Sequence, residues 1–85
     1  MSSRELLQRL ARGQLRNVRF GDAQRLMSEL GFDLDRVRGS HHIHRHRVVH
    51  ERVNLQPQSG QAKPYQLRQV MELVERYDLR LEDDR

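Results

Sequence analysis

Apolar residues in this chain recur first at helical spacing. Leu6, Leu7 and Leu10 form a stripe behind Ser2 and Glu5, whose three-residue separation fits a capping box, and Gly13 is a stop signal. A second stripe, Phe20, Ala23, Leu26, Met27 and Leu30, predicts a helix over residues 20–30. Gly31 suits the left-handed position just past that helix, with Phe32 as its apolar follower. The period then falls to two. In "FDLDRV" (32–37) Phe32 and Leu34 share one face, and Asp33 and Asp35 the other. "RGS" (38–40) is a turn signal, "HHIHRH" (41–46) a second strand and "HERVNLQ" (50–56) a third. In the third strand Val53 and Leu55 face one way, and Arg52, Asn54 and Gln56 the other. "PQSGQAK" (57–63) reads as a loop, and Pro64 fits the first turn of a helix carrying Leu67, Val70, Met71, Val74 and Tyr77 and ending near Asp78.

The predicted fold class is α+β. Three sequential strands with short links form an antiparallel meander, helices cover one face, and the other face stays open because no further apolar element exists to cover it. Residues 1–79 form one domain, and residues 80–85 an acidic, frayed tail.

At 85 residues and 35% hydrophobic composition, the chain supports one thin core rather than a deep cavity. A functional site is therefore expected on an open surface, against something large. Cysteine is absent, which excludes disulfides and thiolate-rich zinc sites. No apolar run approaches the roughly 20 residues of a membrane span, and "MSSRELLQRL" lacks a signal-peptide pattern, so a soluble, cytoplasmic protein without membrane partners is expected.

Charge is unevenly placed. Residues 36–52 hold Arg36, Arg38, Arg45, Arg47 and Arg52 against Glu51 alone. Of 16 basic and 12 acidic residues overall, eleven of each remain elsewhere, so the whole net charge of +4 lies in this segment. Fifteen of the basic residues are arginine, which suits bidentate phosphate contacts. Such a patch attracts a polyanion.

The same segment contains "RGSHHIHRH" (38–46), with four of the five histidines. His42, His44 and His46 alternate, so in a strand they share a face. Three such imidazoles can ligate zinc, but no carboxylate or cysteine joins them and the adjacent arginines oppose a cation, so no metal or other cofactor is expected. Histidine also titrates near neutrality and can move a proton to or from a ribose hydroxyl. Solvated strand histidines are the plain alternative. Parity places His41 with Ile43, toward the helices at the mouth of the second strand. It places His42, His44 and His46 on the open face, where they could meet RNA or a partner.

"ELGFDLDRVRGSHHIHRH" resembles the HicA toxin family, also called the YcfA-like mRNA interferases. Leu30, Gly31, Phe32, Gly39, Ser40, His41, His42 and Ile43 match its hallmark in order and spacing. Lys63, Pro64 and Leu67 fit its closing helix, and the resemblance runs over roughly residues 18–79. It implies a fold like a double-stranded-RNA-binding domain, to which the first helix is an N-terminal addition. It further implies an endoribonuclease toxin of a type II toxin–antitoxin system that cleaves mRNA without a metal, and a HicB-like antitoxin that covers the site. The catalytic residue carried over is His41. Ser40 supports it, since the Gly39–Ser40 turn positions the imidazole and the hydroxyl can bond the ring or a phosphate. Arg38, Arg45 and Lys63 are the expected phosphate contacts, with Gly39 and His42 also expected at the RNA surface. The family's proline-x-histidine near the third strand is missing from "VNLQPQSG", and "YQ" follows the lysine-proline in place of glycine-threonine. Two rival readings remain, a non-catalytic RNA-binding module and a module that pairs with an acidic protein.

Overall fold

The computed structural model describes residues 1–82. Its elements are helix α1 (Ser3–Ala11), helix α2 (Phe20–Glu29), strands β1 (Asp33–Arg38), β2 (His41–Arg45) and β3 (Val53–Leu55), the short strands β4 (Pro57–Gln58) and β5 (Gln61–Ala62), and helix α3 (Pro64–Arg76). The architecture is α+β: β1, β2 and β3 form an antiparallel sheet in that order, with three helices beside it. No helix is long and apolar enough to cross a membrane among the described residues.

Several helix boundaries follow local sequence signals, although Arg19 at the start of α2 makes no side-chain cap. At α1 the Ser2 hydroxyl accepts the Glu5 N–H at 3.1 Å, and the Glu5 carboxylate accepts the Ser2 N–H at 3.2 Å, which completes the capping box. Leu6 and Leu10 bury the inner face of α1, and the Ser3 hydroxyl donates to Glu29 at 2.9 Å, tying α1 to α2. Helix α2 ends in a full Schellman motif: Gly31 N–H bonds Ser28 O, Phe32 N–H bonds Met27 O, and Gly31 has φ +94°. Helix α3 opens on Pro64 and buries Leu67, Val70 and Leu73.

The sheet's buried face is fixed by β3, where Val53 and Leu55 enter the core beneath α3. Strand β2 pairs with β3 so that His44 lies opposite Val53 and His42 opposite Leu55. Directly opposed residues share a face, so His42 and His44 point toward the helices. The expected parity of β2 is thereby reversed: His41 and Ile43 take the open face, and the apolar pair on β3 overrides the pull of the single Ile43. Strand β1 is exposed along its whole length, with a bulge between Leu34 and Arg36, and contributes nothing to the core. Leu34 is accordingly 52% exposed despite its apolar side chain.

Two further segments depart from expectation. The loop at 57–63 contains a tight hairpin, β4 paired with β5, turned by Ser59 and Gly60 at φ +51° and +77°. Two successive positive φ angles are what a type I′ turn requires. Gln61 also bridges to Arg19, and Phe20 N–H bonds Gly60 O at 3.0 Å, so the hairpin braces the start of α2. At the other end, the chain expected to fray from residue 80 carries Leu81 into the core at 2% exposure, beside Leu79. Residues 83–85 lie outside the described part of the chain.

Candidate functional site at the β1–β2 hairpin

Arg38 pairs with His41 across a two-residue turn, Gly39 and Ser40. Gly39 has φ +57° and Ser40 does not share that positive angle, the order of a type II′ turn with glycine first. A Cβ at Gly39 would meet nothing within 4 Å, so glycine serves the backbone angle here and not a close contact.

The turn is held from two sides. Ser40 Oγ accepts from Gln56 Nε2 at 3.4 Å. Gln56 in turn donates its backbone N–H to Oε1 of the buried Gln66 at 2.8 Å, in the first turn of α3. That connection draws the α3 N-terminus, with Lys63 as its N-cap, toward the hairpin end. Ser40 thus uses its hydroxyl toward Gln56 and not toward an imidazole.

His41 is exposed on the open face. Its Nδ1 lies 3.0 Å from Asn54 Nδ2 of β3. An amide nitrogen can only donate, so Nδ1 accepts, and in the neutral ring the proton then resides on the outward Nε2. Asn54 Oδ1 is buried without a partner. His42 is half-buried and turned toward α2, its ring edge-on to Phe20 at 4.8 Å between centroids. Its Nδ1–H donates to the Ser40 carbonyl at 2.9 Å, which leaves Nε2 as an acceptor.

The other two histidines of the cluster are interior residues. His44 is 4% exposed, and its Nδ1 has no hydrogen-bond partner. Desolvation pulls its pKa below the ordinary value of 6.5, outweighing nearby backbone groups that favour the charged form. His46 is buried just past β2: Nε2–H donates to Leu30 O at 3.1 Å, Nδ1 accepts the Val48 N–H at 3.2 Å, and the ring packs edge-on to Phe32. The open-face positions expected for His42, His44 and His46 are therefore corrected for all three. Nor do they converge on a cation, since both nitrogens of His46 are engaged. Among the described residues no group of three His, Cys, Asp or Glu side chains is placed to hold a metal.

The basic residues divide by position. Arg38 lies directly opposite His41, and Arg36 opposite Ile43, so both share the open face with it. Arg45 shares that face too but pairs with Asp33 at the far end of β2, about 13 Å from His41 by strand rise. Arg52 is committed to Asp35 at 3.6 Å. Arg36 and Asn54 are site residues that the motif did not single out. Asn54 was visible only as a polar position alternating with Val53 and Leu55.

Two comparisons, with curated proteins and with solved structures, gave no match. A family model described as the HicA toxin of bacterial toxin–antitoxin systems matches residues 20–75, which spans α2, the whole β1–β3 sheet, the β4–β5 hairpin and nearly all of α3. The match covers well over half of the chain and includes the hairpin with its histidine, so this protein belongs to the HicA toxin family.

Proposed function

We propose that this toxin is an endoribonuclease that cleaves mRNA in the cytoplasm without a metal, with His41 as general base, and that a HicB-like antitoxin neutralises it by covering the same hairpin. The observation that carries the reading is the placement of His41. It is an exposed imidazole at the lip of a two-residue turn, on a face it shares with Arg36 and Arg38. RNA brings its own nucleophile. His41 takes the proton of a ribose 2′-OH, the 2′-oxygen attacks the adjacent phosphorus, and the P–O5′ bond breaks. The products are a 2′,3′-cyclic phosphate and a 5′-OH, the departing oxygen taking a proton from solvent. The arginines hold the phosphate and offset its growing charge. Lys63, at the α3 N-terminus, adds positive charge on the neighbouring element.

One observation favours a second assignment of the base. His42 is already fixed with Nδ1–H on a carbonyl, the tautomer that leaves Nε2 free to accept a proton. Its contact with Phe20 and its partial burial weigh against it.

The test is incubation of the purified chain with labelled RNA in EDTA. Cleavage to cyclic-phosphate ends, lost in H41A and kept in H42A, supports the proposal. Loss in H42A alone moves the base to His42. Salt-sensitive binding without cleavage would make the protein an RNA-binding module.

A further inference from the structure

A general base at Nε2 of His41 needs the ring proton on Nδ1, and the structure holds it the other way, with Asn54 Nδ2 donating to Nδ1. We infer that Asn54 is a positioning residue that sets which nitrogen of His41 carries the proton, and with it whether His41 can accept one from RNA. The inference rests on the reading of His41 as the base.

Three features support it. Asn54 pairs with Ile43 across β2 and β3, so its side chain and that of His41, two residues before Ile43, stand on the same face. The 3.0 Å contact is a link between two side chains on neighbouring strands, which locks the plane of an otherwise exposed ring. Finally, Asn54 Oδ1 is buried without a partner. A half turn about the Asn54 χ2 bond exchanges Oδ1 and Nδ2. Oδ1 then accepts Nδ1–H, Nε2 presents its lone pair outward, and Nδ2 becomes the buried unpaired atom. Either orientation leaves one amide atom unsatisfied inside, so the protein interior does not strongly prefer one. A hydroxyl donating to Nε2 can therefore draw the amide into the base-competent orientation. Of the other groups on this face, Gln56 is turned to the hairpin tip, where its Nε2 donates to Ser40 Oγ. Arg36 and Arg38 of β1 and Arg45 of β2 are donors only, Arg52, just before β3, is paired with Asp35, and Asp33 lies opposite Arg45 at the far end of β2.

The experiment compares N54A and N54D with the wild type, using the full chain. Aspartate only accepts, so it should fix Nδ1–H and raise the His41 titration midpoint above that of the wild type. Long-range proton–nitrogen NMR reads both the tautomer and the midpoint. Kinetics should show N54A losing about 10–100-fold in kcat with KM little changed, as for other groups that orient a functional imidazole. N54D should keep cleavage, with the acid limb of its pH–rate profile moved upward. A role in packing alone would instead depress both variants alike and leave that limb in place. Wild-type rates in N54A, or an unmoved limb and midpoint in N54D, overturn the inference while leaving His41 as the base. Full cleavage by H41A removes the base reading and this inference together. If the wild type cleaves no RNA, the base reading falls and with it the claim about accepting a proton from RNA, while the NMR arm still decides whether Asn54 sets the tautomer, since an unshifted midpoint in N54D rules that out.

Discussion

His46 Nε2 donates to the carbonyl of Leu30 across 3.1 Å and so caps the C-terminus of α2 from 16 positions away in the chain. Helix C-termini leave carbonyls without partners, and a buried one needs a donor. The same ring explains Gly31. A Cβ there would lie 2.9 Å from His46 Nε2, and the residue already needs φ +94°. The "LGF" motif and the last histidine of the cluster are thus one packing unit, closed by the edge-on contact of His46 with Phe32.

His46→Ala should therefore destabilise the fold. It leaves a buried carbonyl unpaired and opens a cavity against Phe32, together costing about 2–4 kcal/mol. Gly31→Ala should cost more than about 1 kcal/mol, from backbone strain and the clash. Urea denaturation with an unchanged m-value checks both. A His46→Ala protein as stable as wild type would exclude the capping role.

His41→Ala should behave oppositely. The residue is exposed, and its hydrogen bond with Asn54 lies at the surface, so the urea midpoint should barely move. Cleavage, in contrast, should fall by about 10²–10⁴-fold, the usual effect of losing a general base. Growth arrest on expression should vanish. Toxicity retained in a soluble His41→Ala protein would transfer the chemistry elsewhere.

Stability should depend on pH through His44. Burial lowers its folded pKa below 6.5, so between the two values the unfolded chain binds a proton that the folded chain does not. The contribution is full above pH 6.5 and is lost as pH falls through that value toward the folded pKa. Glu5 and Glu51 have lowered pKa values, chiefly from hydrogen bonds with Ser2 and with Tyr77. Their stabilisation is present above about pH 4.5 and is lost only below it. Urea midpoints at pH 8 and pH 5.5 isolate the histidine window. His44→Leu should flatten the difference, because leucine has no proton to take up and leaves no unpaired nitrogen inside. An unchanged slope would assign the pH dependence to another histidine.

Much of the scaffold could be read locally. The three helices rest on leucine-rich stripes at helical period, and the Ser2–Glu5 and Gly31 caps depend on residues close in sequence. The β1–β2 turn announced itself through Gly39. What failed was parity in "HHIHRH", where no apolar alternation marks an inner face. That face is decided by Val53 and Leu55 on β3, through a register that only the folded sheet defines. The same register brings Asn54 to His41 and sets Arg36 on the open face, so neither could be found from β2 alone. Leu79 and Leu81 were hidden by the charges around them. The short β4–β5 hairpin left only its Ser-Gly turn as a trace.

The two ends of β2 offer a last discrimination, between arginines that touch the reacting phosphate and arginines that hold the strand beyond it. Arg38 lies opposite His41, while Arg45 shares its face about 13 Å away, roughly two nucleotides along an extended RNA strand. Each phosphate contact on single-stranded nucleic acid contributes about 0.7 to the slope of log affinity against log salt. Arg38→Ala and Arg45→Ala should each flatten that slope by about this amount in filter binding, using an RNA whose 2′-OH at the cleavage site is blocked. Only Arg38→Ala should also lower kcat, because its loss removes charge where the transition state develops it. Arg45→Ala should raise KM and leave kcat nearly intact, the mark of binding felt equally by substrate and transition state. If both substitutions lowered kcat alike, the scissile phosphate would have to lie nearer the middle of β2 than His41 allows, and the hairpin lip would not be the reaction centre.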